Sequence, residues 1–140
     1  MIWYNGGMKT ILSQIEAATM LARDWHYNAS GLSYYAEHLL ADKVAEIGDH
    51  SDKLIETYYL GERETVPPTA VDITKGAVEI YGRAEGDSIP SKLKMVLKLL
   101  AAHCEEIART SISIGTKSLL DSLCADAYQY VGLIERTVAR

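Results

Sequence analysis

Four long stretches of the chain repeat apolar residues every three or four positions, and this periodicity constrains the fold more than any other feature. The stretches cover residues 8–28, 33–60, 90–110 and 116–138. Such spacing places the apolar side chains on one face of an α-helix. Each stretch is long enough for about five helical turns or more. No alternation typical of a strand persists beyond a few residues, so the sequence predicts an all-α fold.

The core predicted from this periodicity consists of the apolar residues on the recurring face of each helix. Since these faces must be buried against one another, the four helices are expected to share a single core. The predicted core residues are Met8, Ile11, Ile15, Ala18, Ala22, Trp25, Leu40, Val44, Ile47, Leu54, Tyr58, Leu93, Val96, Leu97, Leu100, Cys104, Ile107, Leu120, Leu123, Ala127, Val131 and Ile134.

Residues that favour helix ends separate the four stretches. Glycine favours the C-terminus of a helix, serine the N-cap and proline the first turn. Pro67 and Pro68 block continuation of the second helix. The predicted boundaries are the turn of residues 28–31, Ser33 as a cap, Gly61, Ser88 with Pro90, and Gly115 with Thr116.

The order of the connections predicts the topology. A short link joins the first two helices, a long connection with a short helix over Asp72–Tyr81 joins the second to the third, and a short link follows. This order is typical of a ferritin-like four-helix bundle with a long crossover between helices 2 and 3. We expect one such domain over residues 1–140, with residues 1–7 as a loose leader.

The net charge of −5 and the pI of about 5.3 argue against a protein that binds nucleic acid through phosphates, and neither terminus carries a basic tail. No apolar run approaches the roughly 18 residues of a membrane span, and no secretory leader is recognisable. Cys104 and Cys124 match no zinc spacing, which favours two reduced thiols in a cytoplasmic protein.

Histidine and carboxylate residues cluster along the second helix, and these are the usual ligands of first-row metals. At about 100° per residue, His38, Asp42, Asp49, Asp52 and Glu56 share one face, opposite the apolar residues. An internal di-iron centre is therefore not expected, because its ligands would project into the core. An acidic outer face is often only a solvated surface, but the histidines favour a metal site that a second subunit completes.

The segment from His26 to Gly31 (His-Tyr-Asn-Ala-Ser-Gly) resembles the His-Trp-Asn-x-x-Gly signature of the Dps proteins, the mini-ferritins of starved cells. His38 and Asp42 follow at the family's intervals. Asp52 and Glu56 resemble the Asp-x-x-x-Glu element of the family. A weaker similarity to the last family helix extends over residues 115–136.

The chain departs from the family pattern at several positions. Tyr27 replaces the usual tryptophan, and Thr57 stands where an arginine commonly follows the site glutamate. The Asp52–Glu56 pair lies one residue closer to His26 than is usual. The missing residue would rotate this pair by about 100° unless the helix adapts.

The resemblance implies a hollow shell of twelve subunits, built from dimers, that oxidises iron(II) with peroxide or oxygen and stores it during oxidative stress. Its ferroxidase site lies between two subunits related by a two-fold axis. Carried over, His26 and His38 supply imidazoles, and Asp42, Asp52 and Glu56 supply carboxylates to one or two non-haem iron ions. Asp49 and His50 are supporting or alternative ligands. No catalytic residue is expected beyond the ligands.

Two alternatives remain open from the sequence. A helical protein with the same bundle and the same shell contacts would serve as a structural or packaging protein without catalysis. A bundle that binds zinc or manganese instead of iron would use similar side chains.

Overall fold

The structure, a computed structural model, describes residues 7–138 of the 140-residue chain. Throughout this range the regular elements are helices, and no strand is found in it, so the predicted all-α class is confirmed. The helices are α1 (Gly7–Asn28), α2 (Tyr34–Ala45), α3 (His50–Leu54), α4 (Ala70–Arg83), α5 (Ile89–Ala108) and α6 (Ile114–Val138).

The second predicted helix is a composite. A 3-10 turn (Glu46–Asp49) joins α2 to α3, and a π-helical segment (Ile55–Glu62) continues α3. We refer to this continuous run, residues 34–62, as the second rod. The short helix expected in the long connection is present as α4 and is longer than predicted. The predicted leader falls mostly on residues 1–6, which lie outside the described residues, and Gly7 already belongs to α1.

The core lies where α1, the second rod, α5 and α6 meet. Helix α1 contacts α2, the 3-10 turn, α4 and α5, whereas α6 contacts α5 and the second rod. Most predicted core residues are buried. Ala41 joins them, while a few predicted ones are only half-buried: Leu40, Tyr58, Ile107 and Val131.

The two ends of the molecule show how the helices run. At one end Trp25, near the end of α1, donates its indole N–H to Glu37 Oε1 in the first turn of α2 at 2.8 Å. At the other end Glu62, the last residue of the second rod, accepts hydrogen bonds from Ser113 N at 2.9 Å and Thr116 Oγ1 at 2.6 Å. These bonds lower the pKa of the Glu62 carboxyl, the Thr116 bond most strongly.

Helix α4 lies along α1 and runs in the same direction. Ser13 in the first half of α1 donates to the carbonyl of Ile73 at 3.0 Å, and Asp24 near the end of α1 accepts a hydrogen bond from the Tyr81 hydroxyl. The long connection therefore returns the chain along α1 before α5 begins.

Several predicted helix boundaries are confirmed. Helix α1 ends at Asn28, and Gly31 has a φ of 85°, a conformation that favours glycine. Ser88 Oγ accepts a hydrogen bond from Ser91 N at 3.3 Å, and Pro90 lies in the first turn of α5.

Other boundaries differ from the prediction. Ser33 does not cap α2, because its hydroxyl bonds the Glu37 carboxylate instead of the backbone. Gly115 and Thr116 lie inside the first turn of α6, so the predicted break falls earlier, over residues 109–113. The second rod ends at Glu62, one residue after Gly61.

Among residues 7–138, none of the helices combines the length and the apolar character that crossing a membrane requires.

Candidate metal site

The two histidines predicted as metal ligands, His26 and His38, come together across the α1–α2 corner. His26 lies in the last turn of α1 and His38 in the second turn of α2. Their rings are stacked, with centroids 3.8 Å apart and an interplanar angle of 27°. Tyr27 meets His26 edge-on at 5.5 Å, and Tyr34 lies 5.3 Å from His38, so the pair is flanked by aromatic rings.

Reciprocal hydrogen bonds hold the pair. His26 Nδ1 lies 3.1 Å from the carbonyl oxygen of His38, and His38 Nδ1 lies 3.2 Å from the carbonyl oxygen of His26. A carbonyl only accepts, so each Nδ1 donates its N–H. In the neutral ring this leaves the lone pair on Nε2, which is the arrangement common to metal-binding histidines. The carbonyl of His26 belongs to the last turn of α1, where an acceptor lacks an intrahelical donor.

Part of the acidic face adjoins His26. A shallow groove of about 300 Å³ is lined by side chains of α1 and the second rod: Arg23, His26, Tyr27, Asp42, Ala45, Glu46 and Asp49. Three carboxylates and one guanidinium therefore border the groove beside one imidazole. Asp42 and Asp49 are exposed, so the charges lie at the surface.

The other two predicted carboxylates lie far from the histidines. Asp52 is fourteen residues beyond His38, which corresponds to about 21 Å along a helix. Asp52 and Glu56 are both exposed. Within residues 7–138, no three side chains of His, Cys, Asp or Glu converge closely enough in one chain to hold a metal ion. The imidazoles and the distal acids of one chain therefore cannot share an ion.

The 3-10 turn changes the angular positions of the side chains that follow it, compared with those in a regular α-helix. Val44 and Leu54 are both buried, yet ten α-helical residues would leave them about 80° apart. A 3-10 helix turns about 120° per residue, so its four residues add about 80° and bring both side chains to the core. Asp42 and Asp52 are also ten residues apart and both exposed, and the same rotation would bring them close to one line of the outer face.

His50 faces away from this line. Its Nε2 lies 2.7 Å from Asp126 Oδ2 on α6, and the His50 side chain is only 18% exposed. The extra rotation of the 3-10 turn accounts for this orientation, because it turns His50 towards the core side of the rod. To bind a metal through Nε2, His50 would have to give up its bond to Asp126.

Three residues beside the histidines were not predicted as part of the site. Arg23 and Glu46 line the groove, and Tyr34 packs on His38. Helical spacing could have found them, since Arg23 lies three residues before His26, and Tyr34 lies four before His38.

Comparison of the chain with protein families, with curated proteins and with solved structures finds no match.

Proposed function

We propose that the chain is a ferritin-like bundle of four helices (α1, the second rod, α5 and α6) with a long crossover that contains α4. The support comes from two contacts that join the ends of these helices. Trp25 and Glu37 bring the end of α1 to the start of the second rod, and Glu62 brings the end of that rod to the start of α6. Since α4 returns the chain along α1, α5 starts at the end where the second rod began.

We further propose that the protein is a Dps-like mini-ferritin that oxidises iron(II) between two subunits and stores it in an oligomeric shell. The observation that carries this proposal is the stacked His26–His38 pair, in which each Nδ1–H is committed to a backbone carbonyl. Both Nε2 atoms are thereby prepared to bind a metal, while residues 7–138 of one chain bring too few carboxylates close to them to complete a site.

A two-fold axis through the 3-10 turn would complete the site. If the second rods of two copies run antiparallel across such an axis, residue 38 of one copy lies opposite residues 52–56 of the other. His26, His38 and Asp42 of one subunit would then face Asp52 and Glu56 of its partner. Each dimer contains two such sites, and the dimer is the unit from which a shell of twelve subunits is built.

The chemistry follows from these ligands. Two imidazoles and several carboxylates form a mixed site suited to iron, and the negative charge of the carboxylates favours iron(III) over iron(II). Each iron(II) bound as substrate gives up one electron to peroxide or oxygen. The two free thiols, Cys104 and Cys124, are consistent with a cytoplasmic protein.

Purified protein mixed with iron(II) and peroxide tests this function. We expect rapid growth of ferric absorbance and retention of the mineral with the assembled protein in gel filtration. His38→Ala should slow the oxidation at least about tenfold, with the assembly unchanged. His50→Ala is the matched control, because its imidazole pairs with α6, and it should oxidise iron at the wild-type rate. Equal rates in wild type and His38→Ala would contradict the proposal.

A second candidate function is a ferritin-like structural protein that assembles without catalysis. The exposed apolar side chains beside the site favour it, because they fit a subunit contact whether or not metal is bound: Tyr27, Leu32, Tyr35 and Leu39. Shells that form normally but neither oxidise nor retain iron would establish this alternative.

A further inference from the structure

The 3-10 turn (Glu46–Asp49) lies between the histidine end and the acidic end of the second rod. Its backbone differs from an α-helix on both sides of the turn. The ψ angles are −21° at Ala45, −12° at Glu46, −18° at Asp49 and −21° at His50. In an α-helix ψ is about −42°. The ψ angles are therefore shifted at both ends of the turn and at the residues that flank it.

Contact with α1 holds this turn in place. Gly48 faces Thr19 of α1, and a Cβ built on Gly48 would lie 3.1 Å from Thr19 Oγ1. Thr19 is 5% exposed, and its hydroxyl donates to the carbonyl of Ile15 at 2.8 Å. The buried Ile47 anchors the neighbouring position of the turn in the core. A methyl group at position 48 would press on Thr19, which would have to shift by a few tenths of an ångström.

The turn affects both rotation and length. Its four residues rotate the rod by about 480° over about 8 Å, which is close to the 500° and 7.5 Å of five α-helical residues. A four-residue 3-10 turn thus substitutes for five residues of α-helix. It supplies nearly the rotation and length of the residue by which the Asp52–Glu56 pair is short of the spacing usual in Dps proteins.

We infer that this 3-10 turn sets the angular position of Asp52 and Glu56 relative to His26 and His38, and that Gly48 is a positioning residue of the inter-subunit metal site. The inference rests on the proposed function. It agrees with the burial of both Val44 and Leu54 and with the exposure of both Asp42 and Asp52. Both pairs are separated by ten residues, so the same extra rotation of about 80° brings the two members of each pair closer to one line along the rod.

Two single-residue insertions test the inference. An alanine inserted between Ile47 and Gly48 lets the 3-10 turn relax to five α-helical residues. Asp52 and Glu56 then keep their angular position relative to the histidines. An alanine between Lys53 and Leu54, one turn later, rotates Glu56 by about 100°. Cobalt(II) is the probe, since its visible absorption reports imidazole and carboxylate ligands without any turnover.

We expect the variant with the first insertion to bind cobalt(II) with an affinity within about threefold of wild type. Its thermal unfolding should remain cooperative. The second insertion should weaken cobalt(II) binding at least tenfold. Equal affinities in the two insertions, or failure of the first to fold, would overturn the inference while leaving the proposed function intact. Absence of cobalt(II) and iron(II) binding in the wild type would overturn both.

Gly48 is tested by rescue. Gly48→Ala should weaken cobalt(II) binding several-fold, because its new methyl group presses on Thr19. Adding Thr19→Ala removes the opposing hydroxyl and methyl groups and should restore the wild-type affinity and absorption spectrum. Wild-type binding by Gly48→Ala alone, or no recovery in the double variant, would rule out the positioning role of Gly48.

Discussion

Gln14 is a polar residue within the apolar face of α1, and its side chain is 3% exposed. Its Nε2 lies 2.6 Å from Nδ1 of His103 on α5, which makes the pair a polar contact inside the α1–α5 interface. Burial lowers the pKa of His103, and the nearby Glu106 only partly opposes that effect. The folded protein therefore favours the neutral imidazole.

This pKa shift predicts a loss of stability in mild acid. Because the unfolded chain binds a proton near its ordinary pKa of 6.5 and the folded chain does so only at lower pH, the contribution of neutral His103 is present above 6.5. It is lost as the pH falls through the lowered value. The free energy of unfolding from urea titrations should therefore decline between about pH 7.5 and pH 5.

His103→Ala should show a smaller decline over the same pH range. At pH 7.5 this variant should also lose about 1–3 kcal/mol, because Gln14 loses a buried hydrogen-bond partner. His50→Ala is the control, since it leaves His103 in place and should keep the wild-type contribution of that residue. An unchanged pH slope in His103→Ala would show that another group titrates in this range.

At the scale of helices, the contact between α1 and α4 depends on small residues. Gly76 in α4 packs directly on Ser13, and a Cβ added at Gly76 would overlap Ser13 Oγ and approach Ser13 Cβ to 3.0 Å. Ser13 cannot simply turn away, because its hydroxyl donates to the carbonyl of Ile73. The close approach of these two helices therefore requires glycine at this position.

Two alanine substitutions in α4 should have opposite effects. Gly76→Ala should destabilise the protein by about 1–3 kcal/mol, because it overpacks the contact with α1. Gly82→Ala meets no atom within 4 Å, and it should stabilise by a few tenths to about 1 kcal/mol through helix propensity. Chemical denaturation of the two variants checks this, and a gain in stability for Gly76→Ala would refute the close packing of α1 on α4.

At the scale of the whole molecule, the outer surface beside the histidines carries an apolar patch. Tyr27 is 74% exposed, Tyr35 71% and Leu39 50%. An oligomer that buries this surface would explain why large apolar side chains point outward next to a groove of charged residues.

Leu39→Glu should therefore break the proposed oligomer without unfolding the subunit. Sedimentation velocity should show a species smaller than wild type, and circular dichroism should show unchanged helix content. Val66→Glu is the control, because Val66 is 90% exposed in the connection before α4, and it should assemble like wild type. If Leu39→Glu assembles normally, this patch is not the subunit contact.

Local patterns in the sequence are enough to predict the helices and most of the core. Apolar periodicity is local, and each long helix must bury its apolar face, so Ile11 of α1, Leu97 of α5 and Leu123 of α6 were correctly predicted as buried. The approach of His26 to His38 was expected only from a family resemblance, because no local pattern encodes how two helices meet at a corner.

Packing between helices sets the direction of the side chains along the second rod and the positions of several helix ends. At Glu46 and Asp49, the first and last residues of the 3-10 turn, ψ is −12° and −18°, against about −42° in an α-helix. Local propensity does not specify this change, and the packing of Gly48 on Thr19 supports it. The extra rotation of the turn agrees with the contact of His50 with Asp126 on α6 and with the exposure of both Asp42 and Asp52. Likewise, the side chain of Glu62 reaches from the end of the second rod to α6, and bonds between helices distant in sequence depend on the assembled fold.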